Sequence, residues 1–140
     1  MSDFIPISEP SITQLEKDYV IDAVNSGWVS SLGKYIDLFE KEFASYCGSR
    51  FALTTSNGTT ALHLALVAMG IGPGDEVIIP PYTFIATASI VLEANCVPVF
   101  VDIDPETYNL DPNKIEQAIT DKTKAIIPVH FAGQACNMDA

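Results

Sequence analysis

Apolar positions along this chain recur with two different periods, and the switches between them mark out its elements. Over Pro10–Ser26, Ile12, Leu15, Tyr19, Val20 and Ala23 fall at helical spacing behind Ser11, a suitable N-cap, and Ser26-Gly27 closes the run. A second helix is predicted over Tyr35–Cys47, with Ile36, Phe39, Phe43 and Tyr46 on one side and Gly48 as its stop. Phe51-Ala52-Leu53 reads as a short strand, followed by a helix carrying Leu62, Leu64, Ala65, Leu66 and Met69 up to Gly70. Beyond the turn cluster Gly70–Asp75, three more apolar runs read as strands: 76–80, 97–101 and 125–129. Helices are predicted between them, from about Ile85 to Ala94 and from Asp111-Pro112 through Ile119. Strands alternating with amphipathic helices predict an α/β fold with a parallel, doubly covered sheet.

The turn Thr54–Thr60, TTSNGTT, stands where a strand hands over to a helix N-terminus. Free backbone N–H groups point outward at such a place, and the helix dipole favours negative charge there. Gly58 lets a ligand approach the backbone and Thr59 and Thr60 add hydroxyls, so the turn can cradle a phosphate. Ser, Thr and Asn also cap many helices without any ligand, and on this stretch alone an ordinary cap is the simpler account. The Gly-Lys-Ser/Thr close of a Walker loop is missing, as are the three spaced glycines of a dinucleotide fingerprint. Ligands of open parallel sheets collect beyond the carboxyl ends of the strands. That rule puts Ser56–Thr60, Pro81–Phe84, Asp102 and His130 along one rim. Asp102, Asp104 and Glu106 do not make a calcium loop, since Thr107 and Asn113 occupy the positions that need Gly and Glu. They are expected to shape the strand end and its turn.

Composition narrows the function further. The chain has 140 residues, 48% of them apolar, which is enough for a sizeable core. A net charge of −11 with only seven basic residues argues against nucleic acid or an anionic membrane as partner. No apolar run is long enough to span a bilayer, and Met1–Pro10 lacks the pattern of a signal peptide. Cys47, Cys96 and Cys136 are expected to be buried, reduced thiols, which fits a cytoplasmic protein. His63 and His130 stand near no cysteine pair, so zinc is not expected.

Three stretches, SNGTTALHLALVAMGIGPGDEVIIPPYTFIATAS, PVFVDIDPETYNLD and TKAIIPVHFAGQACNMD, resemble the DegT/DnrJ/EryC1/StrS sugar aminotransferases. The likeness extends to SGWVSSLGKYIDLFEKEFASYCG and so covers nearly the whole chain. It implies a fold-type I enzyme that uses pyridoxal 5'-phosphate (PLP) to move an amino group from glutamate to a nucleotide-linked 4-keto sugar. It also implies a homodimer with sites built across the subunit interface. Matched residue by residue, Gly58 and Thr59 fall on the family's phosphate-binding turn, with the Thr60 amide as a further donor. Phe84 falls on the aromatic that stacks on the pyridine ring, and Trp28, Ser30 and Ser31 on a loop near the sugar substrate.

The lysine that holds the cofactor as a Schiff base, and the aspartate that pairs with the pyridinium nitrogen, match nothing in this sequence. Its lysines, Lys17, Lys34, Lys41, Lys114, Lys122 and Lys124, fall on no catalytic position of the family. The expectation is therefore the N-terminal part of the PLP-binding large domain. Two leading helices cover about 11–47 and βαβ units about 50–130, with the rest of that domain and the small domain absent. Two other readings stand beside it. One is a non-catalytic module that binds a phosphorylated ligand or a subunit; the other is a lysine-less relative with dehydratase chemistry. A reading frame that continues past Ala140 into a Ser- and Lys-bearing segment would favour the aminotransferase, and a stop codon there the binding module.

Overall fold

The computed structural model describes residues 5–6 and 8–140, which divide into two compact units, Met1–Thr54 and Thr55–Ala140. The undescribed residues lie within the Met1–Pro10 stretch read above as lacking a signal peptide.

The first unit is helical. Helix α1 (Gln14–Asn25) starts two residues later than Ser11 predicts. Thr13 wins the cap because Glu16 stands three residues on. The Thr13 N–H donates to the Glu16 carboxylate at 2.7 Å, and the Leu15 N–H donates to Thr13 Oγ1 at 3.2 Å, closing a capping box. Helix α2 (Lys34–Cys47) is capped by Gly33 at φ 139°. A Cβ there would come within 3.2 Å of Trp28 Cβ, so glycine is what lets the indole lie over the turn. Tyr35 Oη donates to Asp22 Oδ2 at 2.7 Å, and Lys34 pairs with the same carboxylate. Among the described residues of this unit only Ala44 is buried.

Phe51–Leu53, expected as a strand, is not one: Phe51 is 80% exposed and no strand pairs with the segment among the described residues. Its apolar content suits a strand, but without a neighbour its N–H and C=O groups gain nothing from a ladder. The segment is anchored at its end instead, where Glu40 Oε1 accepts from both the Thr54 N–H (2.8 Å) and its hydroxyl (2.9 Å). Cys47 also departs from expectation, being exposed, whereas Cys96 and Cys136 are buried.

The second unit is the α/β layer structure. It contains α3 (Gly58–Ala68), β1 (Glu76–Ile79), α4 (Ala86–Glu93), β2 (Val97–Phe100) and β3 (Thr123–Ile126). The sheet order is β2-β1-β3 and all pairings are parallel, with Val77 opposite Pro98 and Ala125. Alternation along β1 sends Val77 and Ile79 to one face and Ile78 to the other, and all three are wholly buried. On the first face they meet Leu66, Ile71, Ile90, Val91, Ala94 and Cys96. On the second, Ile78 meets Val101 and Leu110, with Val99, Ile115 and Ala118 alongside.

The helix expected from Asp111 to Ile119 is instead two 3-10 turns, Pro112–Lys114 and Glu116–Ala118. Asp111 caps the first by accepting from the Asn113 N–H at 3.0 Å. The run between that cap and Thr120 is too short for helical cooperativity to outweigh the packing of Ile115 and Ala118 on the sheet. The third strand also begins at Thr123, two residues ahead of the expected start.

Candidate functional site

Three segments of the second unit converge on one cleft of about 780 Å³: the N-terminus of α3, the loop from β1 to α4, and the segment after β3. The last two lie beyond the carboxyl ends of their strands, as open parallel sheets favour.

Asn57 begins α3. Its Oδ1 accepts from the Thr60 N–H at 2.9 Å, while the Asn57 N–H donates to Thr60 Oγ1 at 3.3 Å. This cap settles which donors remain. The Thr60 amide, expected as a further ligand donor, is taken by Asn57. The Gly58 and Thr59 N–H groups and the Thr59 hydroxyl have no partner among the described residues. The space in front of Gly58 is open, since a Cβ built there meets nothing within 4 Å. The plain cap and the cradle are therefore compatible: the cap uses one amide and leaves two.

Phe84 ends the β1–α4 loop and is 74% exposed, in the same cleft as Gly58 and Thr59. The Thr83 and Thr87 hydroxyls share a hydrogen bond of 2.9 Å across the first turn of α4, and the Phe84 carbonyl accepts from the Thr87 N–H at 3.0 Å. Val129–Ala132 form the facing wall. The His130 Nδ1 accepts from the Cys136 N–H at 3.0 Å, so its proton sits on Nε2 in the neutral ring. Phe131 packs on Tyr82 with centroids 4.3 Å apart, and Tyr82 in turn meets Tyr108. This aromatic support had no spacing signal in the sequence, because its members come from three separate loops.

Trp28, Ser30 and Ser31 belong to the first unit, in the loop between α1 and α2. Ser30 Oγ folds back on its own loop, accepting from the Leu32 N–H at 3.3 Å. Asp102, placed on the rim by topology, is engaged elsewhere: Lys114 Nζ lies 3.0 Å from its Oδ2, and the Ile103 N–H donates to Oδ1. Those contacts, Lys114 first, hold its carboxyl below the usual range and raise the Lys114 ammonium. Asp104 shapes the turn after β2: its Oδ1 accepts from the Thr107 (2.8 Å) and Glu106 (2.9 Å) N–H groups, which lower its pKa.

The donor set suits a phosphate ester on an aromatic ring. Two free amides and a hydroxyl meet the helix dipole, and a flat apolar ring lines the same cleft. Among the described residues no Lys or Arg lines the cleft, so the attraction for an anion from this wall is that of the amides and the helix end.

Residues 10–140 match the DegT/DnrJ/EryC1/StrS aminotransferase family. The chain is 55% identical to GDP-perosamine synthase of Caulobacter vibrioides, over 99% of this chain and 38% of that protein. It is 50% identical to the spore coat polysaccharide biosynthesis protein SpsC of Bacillus subtilis, over 98% of this chain and 35% of that one. Among solved structures, Spr1654 of Streptococcus pneumoniae in its PLP-form matches with a TM-score of 0.89 and 40% identity, over 96% of this chain and 34% of that chain. The chain thus spans just over a third of the length of the curated relatives it matches.

Proposed function

The chain belongs to the DegT/DnrJ/EryC1/StrS aminotransferase family, and from that premise we propose that it is the N-terminal part of the large domain of a PLP-dependent sugar aminotransferase. The reaction proposed is transfer of an amino group from glutamate to a nucleotide-linked 4-keto-6-deoxy sugar, with a GDP-linked substrate favoured by the likeness to GDP-perosamine synthase. The observation that carries the reading is the shared cleft, with free Gly58 and Thr59 donors on one wall and the bare Phe84 ring in the same space.

In this reading the Gly58 and Thr59 amides and the Thr59 hydroxyl hold the cofactor phosphate, and the Asn57 cap keeps those amides aimed. Phe84 orients the pyridine ring, offset stacking adding about 0.5–1.5 kcal/mol beyond burial. Trp28, Ser30 and Ser31 belong to the wall for the sugar. When bound, the cofactor supplies an electron sink and a carrier for the amino group. The lysine and aspartate that complete the site come from sequence outside this chain. The parent enzyme is a cytoplasmic homodimer. The dispersed acidic surface, with its net charge of −11, favours a partner other than nucleic acid or membrane.

Two measurements test this. The full-length protein, given glutamate and GDP- or UDP-linked 4-keto-6-deoxy sugars, should release an amino sugar from at least one of them; none from any would overturn the assignment. In the same protein Gly58→Val fills the open space in front of the free amides, and PLP retention should fall by more than about tenfold. Phe84→Ala should lower it less, in keeping with the smaller stacking contribution. Unchanged cofactor occupancy in the Gly58 variant removes the phosphate site.

A further inference from the structure

Asn109 is only 3% exposed, yet it belongs to no regular element and does not line the cleft. Both ends of its carboxamide are engaged. Oδ1 accepts at 3.2 Å from the Phe131 N–H, a donor shared with the Val129 carbonyl at 2.9 Å, and Nδ2 donates to the Gln134 carbonyl at 3.1 Å. A primary amide offers a donor and an acceptor from one planar, uncharged group, and the reverse orientation would set NH2 against N–H.

The segment it holds needs holding. Ala132 sits in the left-handed region at φ 50°, ψ 27°, an uncommon conformation for a residue with a Cβ. His130, Phe131 and Ala132 all line the cleft. Asn109 is itself set by the preceding turn: Tyr108 is left-handed at φ 60°, and the Asp104 N–H donates to the Asn109 carbonyl at 2.9 Å.

We propose that Asn109 is a positioning residue of the cofactor cleft: its buried carboxamide clamps the Phe131–Gln134 segment and so fixes the wall formed by His130, Phe131 and Ala132. The proposal rests on the reading of that cleft as the PLP site. It couples the turn after β2 to the wall after β3 across 22 and 25 residues of sequence.

The test uses the full-length protein and two readouts. In the cofactor-free form, Asn109→Leu should speed amide hydrogen exchange over 129–136 while leaving α3 and β1 protected. In the loaded form, PLP affinity, read from the cofactor's own absorbance, should weaken about tenfold, the order expected from the net loss of two hydrogen bonds. Asn109→Asp keeps the acceptor for the Phe131 N–H but loses the donor and sets a carboxylate oxygen against the Gln134 carbonyl, so it should move both readouts in the same direction and decides the matter if the Leu variant does not fold. Unchanged exchange over 129–136 overturns the clamp. Faster exchange with unchanged PLP affinity overturns its positioning role. A wild-type protein without PLP affinity overturns the cofactor reading, while the exchange result still decides the clamp.

Discussion

The two units of this chain are written in similar apolar patterns and bury them very differently. In Met1–Thr54 the helices α1 and α2 carry Val20, Phe39 and Phe43, all of them exposed, and Phe39 and Phe43 stack on each other at 5.4 Å. In Thr55–Ala140 the residues Val77, Ile78, Ile79, Ile90 and Val91 are shut off from water. Amphipathic periodicity thus creates a face, but only a second layer turns that face into a core. The helical unit has stripes, and the sheet unit has layers on both sides of β1.

The largest expected consequence is in assembly. So much bare apolar surface should make the isolated 140-residue chain self-associate. Size-exclusion chromatography should show it ahead of the monomer position, and a Val20→Ser/Phe39→Ser double variant should move it back. Monomeric elution of the unaltered chain would show that the helical face is less adhesive than its composition implies.

Core substitutions should divide the units next. Ile78→Ala, at a site with no exposure, should cost about 3–4 kcal/mol in urea unfolding. Phe43→Ala, on a half-exposed helix face, should cost under about 1 kcal/mol. Comparable losses would erase the contrast between stripe and layer.

A smaller effect is expected at the helix start that shapes the cleft. Asn57→Ala removes the acceptor for the Thr60 N–H and should cost about 1 kcal/mol, as capping losses do. It should also weaken PLP binding in the full-length protein, since the Gly58 and Thr59 amides lose their alignment. A stability loss with unaltered PLP binding would separate the cap from the cradle.

The smallest effect is electrostatic and involves both units. Glu40 in the first and Asp104 in the second have depressed folded-state pKa values, from the Thr54 and Thr107 backbone N–H groups respectively. The unfolded chain therefore binds protons more readily at acid pH. The stabilisation is complete above the ordinary carboxylate range near about pH 4 and is lost as pH falls through the folded values. Urea midpoints measured between about pH 6 and about pH 3 should fall less steeply for Glu40→Gln and for Asp104→Asn than for the unaltered protein. Identical slopes would mean that these exposed hydrogen bonds contribute nothing through pH.

Local codes in this chain were readable from sequence where they act over a few residues. The helical spacing of α1 to α4, the glycine stops at Gly48 and Gly70, and the near-continuous apolar run of β1 all point to their elements because helix and buried-strand periods are short-range properties. The turn Ser56–Thr60 declared a helix start for the same reason. Tertiary structure decided whatever needed a distant partner. Phe51–Leu53 has strand composition but no ladder among the described residues, and Asp111–Ile119 gave up an α-helix for two tighter turns against the sheet. Which α3 amides stay free was decided by the Asn57 carboxamide, and the Phe131–Gln134 segment is tied to Asn109 by bonds that span 22 and 25 residues. No periodicity encodes such a bond, because a hydrogen bond between loops depends on where the sheet carries their ends.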